Sequence, residues 1–100
     1  MTLNHGFILS SPEAFASTAE RLLAAGDDLV ARSKAFGDQQ ALWGEVLAAI
    51  AASGDTLPSA LRDDLLRLAA LVLEDLEEVE PDLALHVTVN RAMRDGLGEG

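Results

Sequence analysis

Residues 59–79 read SALRDDLLRLAALVLEDLEEV, and this stretch decides the fold class. Leu61, Leu65, Leu68, Val72, Leu76 and Val79 recur at steps of three and four, which is the period of an α-helix. Leu66, Ala69, Ala70 and Leu73 widen the stripe, so the helix is expected to touch several neighbours. Leu57-Pro58 opens it, at a position where a missing N–H costs nothing. Asp63 and Arg67 stand one turn apart, a pairing worth about 0.2–0.5 kcal/mol.

Working upstream, Asp38 is a candidate cap for a helix over Gln39–Ser53, with Leu42, Trp43, Val46, Leu47 and Ile50 on its stripe. Ala48, Ala49, Ala51 and Ala52 permit close approach by a neighbour, and Gly54-Asp55-Thr56 ends the helix through a left-handed glycine. Before it, Ser11-Pro12-Glu13 reads as the start of a helix that runs to Ala35. Phe15, Ala19, Leu22, Gly26, Leu29 and Val30 keep helical spacing, and Leu23 broadens the stripe. Gly26-Asp27-Asp28 is the weak point where this helix kinks or splits, and Phe36-Gly37 is its expected end.

Downstream, the acidic run Glu74, Asp75, Glu77, Glu78, Glu80 and Asp82 straddles a break at Pro81. Leu85-His86-Val87-Thr88-Val89 alternates as a strand would, but a lone strand has nothing to pair with. Leu85, Val89, Ala92 and Met93 fit a helix over Asp82–Asp95, closed by Gly96-Leu97 in a Schellman turn. The expected fold is all-α: a small up-and-down bundle of three long helices and one shorter helix. It forms a single domain over 12–97, preceded by a flexible arm over 1–11 and followed by a frayed tail over 98–100.

Composition narrows the function. Seventeen acidic residues against seven basic ones give a formal charge of −10, which repels phosphate backbones and anionic lipid. Direct nucleic-acid binding is therefore not expected. The chain has no cysteine, which excludes disulfides and thiolate metal sites and fits a reducing cytoplasm. The first twelve residues carry no Lys or Arg, so Phe7-Ile8-Leu9 lacks the charged flank of a signal peptide. No uncharged apolar run reaches the roughly 18–20 residues that span a bilayer. A soluble, cytoplasmic protein is expected, with no membrane insertion.

Catalytic and cofactor signals are absent. Glu78, Asp82 and His86 have the i, i+4, i+8 spacing of a metal-binding face, but Pro81 interrupts it. No serine stands in a nucleophile-elbow sequence, and Gly96, Gly98 and Gly100 neither follow a strand nor precede a helix, as a phosphate loop would. Neither an enzyme nor a cofactor-binding protein is expected.

Three spaced blocks carry a resemblance: Leu42-Trp43, then Leu57-Pro58 with Leu61-Arg62, then Asn90-Arg91-Ala92-Met93 with Gly96-Leu97. In order and spacing they resemble the FlaF family of small alphaproteobacterial flagellar biosynthesis proteins, over residues 38–97. The chain departs from that pattern at Gln39-Gln40-Ala41, where basic residues usually precede the Leu-Trp pair, and in its opening third, which has no tyrosine. The resemblance implies a chaperone that binds an amphipathic terminal helix of flagellin and regulates its synthesis or export, alone or with other flagellar regulatory proteins. Leu42, Trp43, Val46, Leu61, Arg62, Leu65, Asn90, Arg91, Met93 and Leu97 are the candidate partner-binding residues. Each has a plainer reading: Trp43 as a core anchor, Arg62 and Arg91 in local ion pairs, Asn90 satisfying buried backbone. Two other functions stay open: a homodimeric helical module unrelated to flagellin, and an acidic inhibitor of a basic nucleic-acid-binding protein.

Overall fold

The computed structural model describes residues 12–98, which form four helices and, among the described residues, no strand. The expected arm over 1–11 and the last two residues lie outside that range. Helix α1 is Pro12–Ala25, α2 is Leu29–Ser53, α3 is Ser59–Asp75 and α4 is Leu83–Gly98. A single 3-10 turn, Gly54–Thr56, joins α2 to α3. Helix α1 packs against α2 and α4, and α2 packs against α3. With 25 residues, α2 is about 38 Å long at 1.5 Å per residue, close to the 42 Å long axis of the molecule.

The core follows the sequence stripes. Phe15 of α1 meets Trp43 of α2 edge to face, ring centroids 5.8 Å apart. Around that pair gather Leu42, Val46, Ile50, Leu57, Leu65, Ala69, Val72, Val89 and Met93. A smaller cluster of Ala19, Leu22, Ala35 and Val87, with Phe36 and Leu83 packed on it, fills the opposite end.

The helix boundaries differ from the expected ones in three places, each for a physical reason. The weak point at Gly26 is a full break. Gly26 takes φ 52°, a left-handed conformation that a side chain resists, and Asp28 Oδ1 then accepts from the N–H groups of Val30 and Ala31 at 3.0 and 3.1 Å. Asp28, not Asp38, is the cap of the second helix. That helix then runs straight through Phe36-Gly37-Asp38, the expected end. A mid-helix glycine costs about 0.5–1 kcal/mol, too little to outweigh the burial of Ala35, Gln39, Leu42 and Trp43 on either side. Asp38 instead faces α1, where Arg21 Nε donates to its carboxylate at 3.1 Å.

At its other end α2 stops where the sequence predicts, on Gly54 with φ 57°. Helix α3 starts at Ser59 as expected but ends at Asp75, one turn before Val79. The N–H groups of Glu77 and Glu78 bond three residues back, to Glu74 and Asp75, so the chain tightens and leaves the helix. Five carboxylates over 74–80 oppose the negative end of the helix dipole, and Pro81 donates no N–H to prolong it. Helix α4 continues through Gly96 to Gly98, so Gly96-Leu97 is not a terminating turn and Gly98 is not part of a frayed tail. Arg67 pairs with Asp64 at 3.4 Å and not with Asp63.

The continuous α2 has a direct test. A Cβ built on Gly37 meets nothing within 4 Å, so Gly37→Ala should stabilise the fold by about 0.5–1 kcal/mol in urea denaturation. A glycine ending a helix would give the opposite sign. Gly26→Ala, which forces a side chain into the left-handed region, should cost about 1–2 kcal/mol.

Candidate partner-docking groove

Most of the candidate partner-binding residues are interior. Leu42, Trp43, Val46, Leu65, Asn90 and Met93 are buried, and Leu61 and Arg62 are half-buried. Arg91 is exposed on α4. Leu97 lies in the last turn of α4, and its side chain is outside the described set. None of the ion pairs among the described residues involves Arg62 or Arg91. Asn90 bonds to side chains and not to backbone.

Those bonds form a buried chain whose order is fixed from one end. Trp43 Nε1–H can only donate, and it reaches Asn90 Oδ1 at 2.9 Å. The amide nitrogen of Asn90 must then face Gln39, and it donates to Gln39 Oε1 at 2.6 Å. Gln39 Nε2 has two hydrogens: one returns to Asn90 Oδ1 at 3.0 Å, and the other points at His86 Nδ1, also 3.0 Å away. His86 Nδ1 is therefore an acceptor. The ring proton sits on Nε2 and is donated to Asp75 Oδ2 at 2.8 Å. The same carboxylate oxygen accepts the backbone N–H of Asp82 at 2.8 Å. Among the described residues, every buried side-chain polar atom has a partner.

This arrangement sets limits on chemistry. His86 and Asp75 make a His–carboxylate pair, but the other ring nitrogen is already taken by the Gln39 amide, and His86 is wholly buried. No substrate atom reaches it. Glu78 and Asp82 do not gather with His86, and the described residues contain no cluster of three or more groups able to hold a metal ion. At the opposite end of α4, Arg94 Nε donates to Asp95 Oδ1 at 2.8 Å. That hydrogen bond holds the Asp95 carboxyl below its usual range and the Arg94 guanidinium above its own, and both are surface groups.

The apolar surface left uncovered lies elsewhere, where two predicted stripes run past the ends of their helices. Leu29 and Val30 are 80% and 79% exposed, and Val79 is 100% exposed. Leu29 and Val79 line a groove of about 740 Å³ between the start of α2 and the segment joining α3 to α4. Phe36, Leu76 and Pro81 supply the rest of its apolar lining, and Asp27, Arg32 and Glu80 its charges. Arg32 is folded inward: its Nη1 donates to Gly26 O at 2.9 Å, and its guanidinium lies 5.8 Å from the centre of the Phe36 ring. Phe36 in turn meets His86 edge to face at 5.6 Å, so the groove rests on the buried chain.

The sequence had assigned Leu29, Val30 and Val79 to core stripes. Only the two early helix ends turn them outward. Gln39 and His86 carried a usable signal: Gln39 and Trp43 on α2, and His86 and Asn90 on α4, are each four apart and so share one helix face.

Comparison with known proteins places the chain. The family model that matches it is described as Flagellar protein FlaF, and the match spans residues 12–97. No curated protein and no solved structure matches at a significant level. The matched region includes all four helices but for Gly98, the buried chain and both walls of the groove.

Two measurements check the buried chain. Two-bond proton–nitrogen NMR correlations should show His86 as the Nε2–H tautomer, whereas an Nδ1–H pattern would reverse the order of donors. Asn90→Leu keeps the volume but leaves Trp43 Nε1–H and Gln39 Oε1 without partners, so it should cost at least about 2 kcal/mol in denaturant unfolding.

Proposed function

The chain belongs to the FlaF family of flagellar proteins, and from that premise we propose that it binds flagellin as a secretion chaperone and acts by contact, not catalysis. The observation that supports this is the exposure of Leu29 and Val79 on a groove that no other part of the described chain fills. A cluster of large apolar side chains in water is the usual mark of a protein-binding face. An amphipathic terminal helix of flagellin, unfolded before assembly, is the proposed guest, in the helix-in-groove mode. Apolar burial worth about 25 cal/mol per Å² drives the contact, less the cost of ordering the segment. Binding before export places the protein in the cytoplasm with its cargo. An effect on flagellin synthesis follows from the same contact, or through other flagellar regulatory proteins. With a formal charge of −10, the chain is poorly suited to grip messenger RNA itself.

A second reading has its own observation. Leu71 on α3 and Leu47 on α2 also face solvent, so a second copy of the chain is a candidate to cover them. Sedimentation across a range of concentrations separates the two.

Calorimetric titration with flagellin, full-length and lacking each terminal segment, tests the main reading. Saturable binding is expected that one terminal deletion abolishes. The double variant Leu29→Glu with Val79→Glu should weaken it at least about tenfold, which is 1.4 kcal/mol, with the fold intact because both side chains already face water. No heat at tens of micromolar with folded protein, together with a dimer that Leu71→Glu dissolves, would replace the chaperone by the homodimeric module.

A further inference from the structure

The charge around the groove says what kind of segment it accepts. We propose that its occupant is a basic amphipathic helix of a protein partner, one whose apolar stripe is flanked by Lys or Arg. This rests on the docking reading above and specifies the chemistry of the guest.

Asp27 stands on one wall, at the break between α1 and α2, and Glu80 on the other. Glu77 and Glu78 lie just before Val79 in the chain, outside the groove's lining, and both are exposed. None of these four carboxylates takes part in an ion pair among the described residues. Asp28 and Asp82 add negative charge beside them, each turned to a helix N-terminus: Asp28 caps α2, and Asp82 Oδ1 accepts from Leu85 N–H at 3.3 Å. The one cation in the lining, Arg32, is committed to the Gly26 carbonyl and the Phe36 ring. Uncovered apolar side chains thus sit between Asp27 on one wall and Glu80, with Glu77 and Glu78 beside it, on the other. A guest with an apolar stripe alone would fill the floor and leave the rims unpaired. A guest with acidic flanks would be repelled from both walls. Basic flanks match both, steer the encounter and fix the register of the helix.

The same geometry makes the acidic wall a fixed feature. Asp75 Oδ2 holds the backbone of Asp82 and the ring of His86 together, which anchors the far end of the 76–82 segment to the core. Glu77, Glu78 and Glu80 are therefore presented by a segment tied down at its base.

The test uses the whole chain and two synthetic peptides with the same leucine stripe at i, i+3, i+4 and i+7, one with lysine on both flanks and its twin with glutamate. The lysine peptide should bind at least tenfold more tightly at low salt, and the gap should shrink at 0.5 M salt as the charges are screened. Amide NMR shifts on binding should map to residues 27–37 and 76–81. Glu77→Lys with Glu80→Lys takes the summed charge of the four carboxylate positions from −4 to 0 and should erase the preference between the twins. Equal affinity for the two peptides, shifts that map elsewhere, or no binding of either at hundreds of micromolar would overturn the proposal. If flagellin binds and Leu29→Glu with Val79→Glu abolishes it while the peptides are not distinguished, the charge inference fails and the chaperone reading stands. If the lysine peptide binds at the groove and flagellin does not, the groove chemistry stands and flagellin is not its guest.

Discussion

The indole N–H of Trp43 is a donor with nowhere to go but protein. Buried in the core at 0% exposure, it would cost the fold several kilocalories per mole if left alone, and Asn90 Oδ1 removes that cost. Because the indole can only donate, this one bond orients the Asn90 amide, which orients the Gln39 amide, which determines which nitrogen of His86 holds the proton. The chain ends at Asp75, a carboxylate in the last turn of α3, where the helix dipole disfavours negative charge. Two hydrogen bonds offset that placement, one from His86 and one from the Asp82 backbone. Three helices and the connection between two of them are thus registered against each other by directional bonds. Apolar packing alone would tolerate sliding.

This accounts for the residues that mark the family. Leu42-Trp43 and Asn90 to Met93 lie far apart in sequence because they belong to facing helices, and they meet in the interior. They specify how α2 and α4 dock, and so identify the fold better than they identify a surface. Arg91 and Ala92, exposed on the outer side of α4, are the exceptions, and nothing in the geometry assigns Arg91 a partner.

Much of the fold was legible because periodicity reports which residues face inward. Phe15, Ala19, Leu22, Trp43, Val46, Ile50, Leu65 and Val72 all went where their spacing sends them. Helix ends were read less well, since they turn on small local balances. At Gly37 the expectation of a break rested on intrinsic propensity, and burial on both flanks outweighed it. The cap of the second helix was expected at Asp38, and the left-handed turn at Gly26 moves it to Asp28. The groove was hidden for the same reason. Leu29, Val30 and Val79 fit their stripes by spacing, and they become surface only because one helix begins anew and the other stops early. Nothing in periodicity distinguishes a core position from one stranded a turn beyond the helix end.

Those two local balances have a joint consequence for binding. A groove made only of loop would have to order itself around a guest, and that cost would come out of the affinity. Here one wall is the first turns of α2, capped by Asp28 and braced by Arg32 against Gly26. The other is a short segment closed at its base by Asp75, which is held in turn by the chain that starts at Trp43. Phe36 links the two, since it lines the groove and its ring packs on His86. The interior bonds and the outward apolar residues are thus parts of one arrangement. The buried chain ties the end of α3 to the start of α4, and Val79 and Leu29 are left exposed on one groove. A substitution in the buried chain should for this reason weaken the proposed docking through the position of the wall, even though none of those side chains lines the groove.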